Sequence, residues 1–346
     1  MTAQSGAGQS DQQMGTLMAE LSSAAASGDY DRVDQINRQL AALSERKNAK
    51  SPAPDQVPSA LQAPVTTTPA IADTRKRSRG MKSAPPAREP QHLPIWAERH
   101  RGIPNELVRS ALFSVTAAPR RQLKDQVIAG TAQRMITYSG EELRVTDEDV
   151  LLQIYHLARG TKLGEPFTVT AGDFLDRLGK THGAKNYAEL YKSLHRLSKG
   201  NVTITDVREQ GEYTLQSGPI ISDLLIHHAA LGQAKWIQIT LSARTEELWN
   251  SMGYTLLDWQ QRCKLSGPMG KALHRYFASH RDPYPIKVET IRRMMGSETS
   301  SIARFRQLLR QALDELVEIG FLTRYWIDGT DKVNVTRAES SPGLLS

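Results

Sequence analysis

Ser301–Thr336 reads SIARFRQLLRQALDELVEIGFLTRYWIDGTDKVNVT. At 100° per residue, Ile302, Phe305, Leu308, Leu309, Ala312, Leu313 and Leu316 share one helical face. Ser300 or Ser301 supplies an N-cap, and Gly320 stops the helix after Ile319. FLTRYWI and KVNVT then flank DGTD, a turn suited to a hairpin. A long amphipathic helix that runs directly into a hairpin is the C-terminal half of a winged helix. The residues before it supply the rest. Val288–Met295 is helical and ended by Gly296. Pro268–His280 is helical, with Ser266-Gly267 at its cap and Pro268 at the first helical position. Between them HRDPYPIK makes a turn in which Pro283 and Pro285 fix φ. A helix at Thr245–Met252 precedes the set.

The same order of elements occurs earlier. ITYSGEELRV (Ile136–Val145) suits a strand or short hairpin, and Thr146 caps a helix that buries Val150, Leu151, Ile154 and Leu157. Its first turn, Asp147-Glu148-Asp149, complements the helix dipole, which explains the three acids without a metal. EPFTVT is a strand, Ala171–Leu178 a short helix, and Tyr187–Lys199 a third helix. NVTITDV and EYTLQSG alternate with period 2 around REQG and form the expected wing; KWIQITLS adds a strand. The chain is therefore expected to be α+β, with tandem winged helices at 96–240 and 241–337.

The remainder has a different character. Residues 1–46 are expected to comprise a polar tail and, over 14–46, a helical hairpin or a short coiled coil, and 338–346 a second tail. Residues 47–95 are rich in Pro, Ala, Ser and Thr and form a linker, so the N-terminal extension is largely disordered and only partly helical. The linker contains TRKRSRGMK (Thr74–Lys82), which is either a solvated run or a non-specific DNA contact.

The chain of 346 residues carries +7, which points to nucleic acid or an acidic surface as partner. Its single cysteine, Cys263, permits no internal disulfide, which fits the reducing cytoplasm. No run approaches the roughly 20 apolar residues of a membrane span, and the N-terminus lacks a signal-peptide pattern. No catalytic, cofactor or metal constellation emerges, so no enzyme is expected. GPMGKA (Gly267–Ala272) lacks the spacing of a phosphate loop and reads as a helix N-terminus. His227-His228 has no further ligand at metal spacing, and His274 and His280 do not share a helix face.

The positive charge is concentrated. Arg262–Gln311 holds eleven Lys or Arg against three Asp or Glu, a balance of +8. In the long helix the face opposite the apolar stripe carries Arg304, Gln307, Arg310 and Gln311, with Ser301 at its start and Arg306 on the flank. Arg pairs bidentately with guanine and Gln with adenine, so Ser301, Arg304, Gln307, Arg310 and Gln311 are the candidate base readers. Candidate phosphate contacts are Lys271, Arg275, Lys287, Arg292, Arg293 and Arg306 in the second domain. The first domain adds Lys185, Lys192, Arg196 and Lys199, where lysines without amides suit backbone contact.

IPNELVRSALFSV (Ile103–Val115), ITYSGEELR (Ile136–Arg144), KLGEPFT (Lys162–Thr168) and, most specifically, YFASHRDPYPIKVETIRRMMGSE (Tyr276–Glu298) resemble the TrfA-type plasmid replication initiators. The resemblance covers roughly residues 96–326. It implies tandem winged helices on directly repeated origin sites (iterons), the C-terminal one reading bases and the other contacting the backbone. It further implies origin opening without catalysis, recruitment of the host initiator, replicative helicase and sliding clamp, plasmid copy control, and a monomer–dimer equilibrium in which monomers bind. The family's clamp-binding motif has its nearest counterpart in QHLPIW (Gln91–Trp96), where Pro94 and Trp96 break the pattern. The alternative reading is a winged-helix transcriptional repressor that uses the same surface, possible also as autoregulation.

Overall fold

The computed structural model describes residues 92–338, except 131–133, 209–210, 229–233 and 252, together with a few positions between 16 and 39 and residues 344–345. The expected hairpin at 14–46 and the basic run at 74–82 lie outside the described residues, apart from those few positions.

The chain enters through β1 (His100–Pro104), α1 (Asn105–Val108) and β2 (Phe113–Ser114), then β3 (Gln122–Gly130), β4 (Arg134–Glu141) and β5 (Leu143–Arg144). Next come α2 (Val145–Ala158), β6 (Pro166–Val169), α3 (Ala171–Arg177) and α4 (Ala184–Lys199). Four strands follow, β7 (Asn201–Arg208), β8 (Gly211–Pro219), β9 (Ile221–His228) and β10 (Ala234–Leu241). After α5 (Glu246–Ser251), β11 (Tyr254–Asp258) and α6 (Trp259–Lys264) lie α7 (Pro268–Ala278), β12 (Ile286–Lys287), α8 (Val288–Met294) and α9 (Ile302–Glu318). The chain closes with β13 (Leu322–Ile327), β14 (Lys332–Arg337) and β15 (Leu344–Leu345).

Two sheets share one plan. β6-β10-β9 and β12-β14-β13 each pair the strand that follows the first helix with the second strand of the later hairpin. The two winged helices are therefore α2-β6-α3-α4-β9-β10 and α7-β12-α8-α9-β13-β14. This corrects the wing expected in the first of them. The hairpin β7–β8 instead joins β3 and β4 in a separate four-stranded sheet. That hairpin alternates cleanly and so announces itself. The true wing strand ISDLLIHH carries Leu224-Leu225-Ile226 in succession and hides its period.

The four-stranded sheet packs closely on α4. A Cβ at Gly200, the C-cap of α4, would lie 2.3 Å from the Tyr138 hydroxyl on β4, so only glycine fits there. Sequence order also crosses the expected boundary at 240/241. β1 pairs antiparallel with β11, from His100↔Asp258 to Pro104↔Tyr254, and β15 adds to the far edge of β11. β1 contains Gly102 and Pro104, and its partner lies about 150 residues away, so neither strand is visible locally.

α2 starts at Val145 with Arg144 as N-cap, so Thr146 is not the cap. The Asp147 carboxylate accepts the Arg144 backbone N–H (2.9 Å), which satisfies a donor the helix leaves open. Phe305, Leu309, Leu313 and Leu316 of α9 join Leu273 and Phe277 of α7, Ile291 of α8 and Phe321 in the buried core, as the apolar stripe requires.

Candidate nucleic-acid interface

α9 begins where the Ser301 hydroxyl accepts the Arg304 N–H (3.3 Å). Its apolar face fixes its rotation, and Ser301, Arg304, Gln307, Arg310 and Gln311 all stand exposed on the other side. Arg304 Nη1 donates to Gln307 Oε1 (2.6 Å), so two of the candidate readers present one linked surface. Toward the C-terminal end, the Tyr325 hydroxyl donates to Asp314 (2.6 Å) and anchors the wing to the helix. Leu308, expected inside, is half-buried. With Gln311, Ala312 and Glu315 it lines a groove of about 590 Å³, closed by residues 115–118, 266–270 and 297–299.

Several candidate phosphate contacts face inward instead. Arg196 is buried and donates from Nε and Nη2 to Asp147 Oδ1 (3.0 and 2.8 Å), beside Ser193 and with Arg120 on the other carboxylate oxygen. Arg275, 3% exposed, donates to Glu148 (2.9 Å), and Lys271 donates to Asp149 (2.6 Å). Arg262, fully buried, bridges both acids, at 3.2 Å to Glu148 and 2.7 Å to Asp149. Burial alone would raise the Asp149 pKa, but Arg262 and Lys271 outweigh it and hold the carboxylate below its ordinary value. The acidic first turn of α2 is thus a socket for cations from α6 and α7, and it joins the two winged helices. Arg196 was expected on the outward face of its helix and Arg275 within a run of exposed positive charge; both long side chains instead turn toward a buried carboxylate.

Arg306 also has a protein partner: Nε and Nη2 donate to the Asp331 carboxylate at 2.9 and 2.8 Å. Arg292 and Arg293 both reach Glu289, at 2.8 and 3.3 Å, and Arg292 holds the Thr299 carbonyl (2.9 Å) ahead of α9. Lys192 pairs with Glu189 (3.1 Å) across two exposed side chains, a contact that competes weakly with phosphate. Lys185, Lys199 and Lys287 are exposed and unpaired among the described residues.

Another surface escaped sequence reasoning. In the register of β12-β14-β13, Lys287 lies opposite Lys332, Trp326 opposite Asn334, and Arg324 opposite Thr336. These residues share the outer face of the sheet, where the Arg324 guanidinium lies 5.3 Å from the centre of the exposed Trp326 ring. Alternation within TRYWI and KVNVT was the available signal.

Of the segment QHLPIW, Gln91 lies outside the described residues and the rest, His92–Trp96, docks on the protein. Leu93 and Trp96 are buried, and Trp96 stacks on Trp249 at 5.8 Å. Trp96 Nε1 donates to His156 Nδ1 (3.1 Å), and a Cβ at Gly102 would meet the Trp96 ring at 2.9 Å. Of its bulky apolar side chains Ile95 alone is exposed. Among the described residues no group of His, Cys, Asp and Glu is arranged to hold a metal, and no helix is long and apolar enough to cross a membrane.

Crystallised RctB domains 2 and 3 superpose with a TM-score of 0.48 at 11% identity, over 66% of this chain and 96% of theirs. The WH1 domain of MSBI1.176, a replication protein isolated from a multiple sclerosis patient, gives 0.23 at 16% identity over 30% and 78%. The plasmid replication initiator protein TrfA of Escherichia coli is 31% identical over 241 residues, which is 67% of this chain; the match spans 61% of that relative's length. The family described as TrfA protein matches residues 89–337. The chain belongs to the TrfA family.

Proposed function

We propose that this protein initiates plasmid replication by binding repeated duplex sites at an origin. The observation that carries this reading is the exposed face of α9, where Ser301, Arg304, Gln307, Arg310 and Gln311 stand clear of the core on a member of the TrfA family. In this account the N-terminal half of α9 enters the major groove and reads bases. Lys287 steadies the second winged helix on phosphate, while Lys185, Lys192 and Lys199 hold the first on neighbouring backbone. The ion pairs between α2 and α6–α7 fix the two winged helices relative to one another, so engaging both bends the duplex and favours melting of an adjacent AT-rich segment. The protein acts in the cytoplasm, without catalysis, and delivers the opened origin to the host initiator and replicative helicase. Burial of Leu93 and Trp96 argues that His92–Trp96 is a structural strap and not the clamp-binding element expected at 91–96. Monomers bind the sites, and dimers are the inactive store.

The test is a footprint on the DNA beside the protein's own gene, followed by permanganate probing of the AT-rich flank. Protected direct repeats with an opened flank are expected. Protection without opening would make the protein a repressor. Absence of protected repeats would remove the reading.

A further inference from the structure

Asp331 stands at the tip of the wing with a left-handed backbone, φ +61°, a conformation that side chains other than Gly, Asn and Asp rarely adopt. Its carbonyl accepts the N–H of Val288, the first residue of α8 (2.9 Å). Its carboxylate accepts both Nε and Nη2 of Arg306, on the first turns of α9. One residue therefore ties the wing to both helices of the helix-turn-helix. The rest of the turn is satisfied internally. Asp328 Oδ1 accepts the N–H groups of Thr330 (2.9 Å) and Lys332 (3.1 Å), and Oδ2 accepts Asn334 Nδ2 (3.1 Å). The tip thus carries two carboxylates, Asp328 and Asp331, where a wing held by phosphate would be served by cations.

Charge and geometry make opposite demands here. On charge alone, neutralising Asp331 strengthens binding to any DNA. On geometry, it releases Arg306 and lets the wing swing relative to α9. Resting on the reading of α9 as the base-reading helix, we propose that Arg306 and Asp331 are a positioning pair. They fix the wing angle on α9 and so set the match to cognate sequence; neither is a phosphate contact. The pair is about one-third exposed on each side (33% and 38%), so it adds little to stability, whereas its bidentate form defines an orientation.

Asp331→Asn is the decisive variant, because Asn tolerates the left-handed backbone and only the charge is lost. Full-length wild type, Asp331→Asn, Arg306→Gln and the double variant are titrated on a cognate and a scrambled duplex over a range of salt. Each single variant is expected to lose about tenfold on the cognate duplex. Scrambled-duplex affinity and the salt slope should stay at wild-type values. The double variant should be no weaker than either single one. Tighter binding of Asp331→Asn to both duplexes overturns the proposal. So does a salt slope lowered by about 1 in Arg306→Gln, the mark of a lost phosphate contact. Losses that simply add also overturn it. If Asp331→Asn lowers the melting temperature, Arg306→Gln still decides through its slope. Wild type that discriminates while both variants match it sinks only the pair. Wild type that does not discriminate sinks the reading of α9, and the pair with it.

Discussion

Arg262→Met should unsettle the junction of the two winged helices without touching DNA. Arg262 is fully buried and faces two carboxylates, Glu148 at 3.2 Å and Asp149 at 2.7 Å, and it donates to the Lys271 carbonyl at 3.2 Å. Removing one partner of a buried ion pair costs ~3–5 kcal/mol, because the other charge stays behind without compensation. Here each acid keeps one cation, Arg275 for Glu148 and Lys271 for Asp149. The lower end, about 3 kcal/mol, is therefore expected. Asp149→Asn completes a double-mutant cycle with a coupling of ~1–3 kcal/mol. Urea unfolding followed by circular dichroism gives the stabilities, and hydrogen exchange of α2 and α7 amides shows where the loss falls. The salt slope of DNA binding should be unchanged. A stability loss under ~1 kcal/mol, or a coupling near zero, would refute the socket as the element joining the two units.

Arg304→Ala and Arg310→Ala should each cost ~1–3 kcal/mol on the cognate duplex and relax specificity at one position; a panel of single-base variants reads this. Lys199→Ala should weaken all duplexes alike and lower the salt slope by about 1, with stability unchanged. Phe305→Ala, at a fully buried position, should cost ~3–5 kcal/mol of stability through a cavity, seen in the urea midpoint. Stability should also fall in acid through two buried histidines. Burial pushes His274 down to about 3 and His156 to about 4, both below the ordinary 6.5. Below pH 6.5 the unfolded chain takes up protons that the folded chain refuses, so each histidine removes ~1.4 kcal/mol per pH unit until its folded pKa is reached. His274→Phe should flatten that slope in urea titrations between pH 6.5 and 4.

The second winged helix was legible because its signals are local. The stripe from Ile302 to Leu316, the Ser301 cap, Gly320 and DGTD all lie within 36 residues. The first was legible in its helices and not in its wing, because β7–β8 offered a better alternation than β9–β10. Strand pairings that depend on distant partners, β1 with β11 and β6 with β10, left no local trace. At the interface, periodicity placed Arg304, Gln307, Arg310 and Gln311 on the exposed face. It failed for Arg196, because a wheel records the direction of Cα–Cβ and not where a long side chain ends, and the charge count over 262–311 failed for Lys271 and Arg275, because a count does not see acids elsewhere in the chain. The acids that received them were in view at 147–149. Acids in a first turn complement the helix dipole whether or not they also bind cations, so their position alone does not reveal Arg196, Lys271 and Arg275 as partners.

That pairing changes what the +8 between Arg262 and Gln311 means. Were all those cations solvent-facing, the domain would bind any duplex through phosphate, and sequence would matter little. Arg262, Lys271 and Arg275 instead neutralise Glu148 and Asp149, Arg306 neutralises Asp331, and Arg292 and Arg293 share Glu289. What stays exposed on α9 is Arg304 and Arg310, with amides beside them. On the proposed reading of α9, this pairing lowers the sequence-independent attraction, while the exposed Arg304 and Arg310 are left for base edges. Specificity is a difference between cognate and non-cognate affinity, so lowering the second serves it as well as raising the first. Much of the basic charge in this region builds the scaffold that holds α9, and on the proposed reading the exposed Lys264, Arg281, Lys287, Arg304 and Arg310 are what is left to meet the DNA.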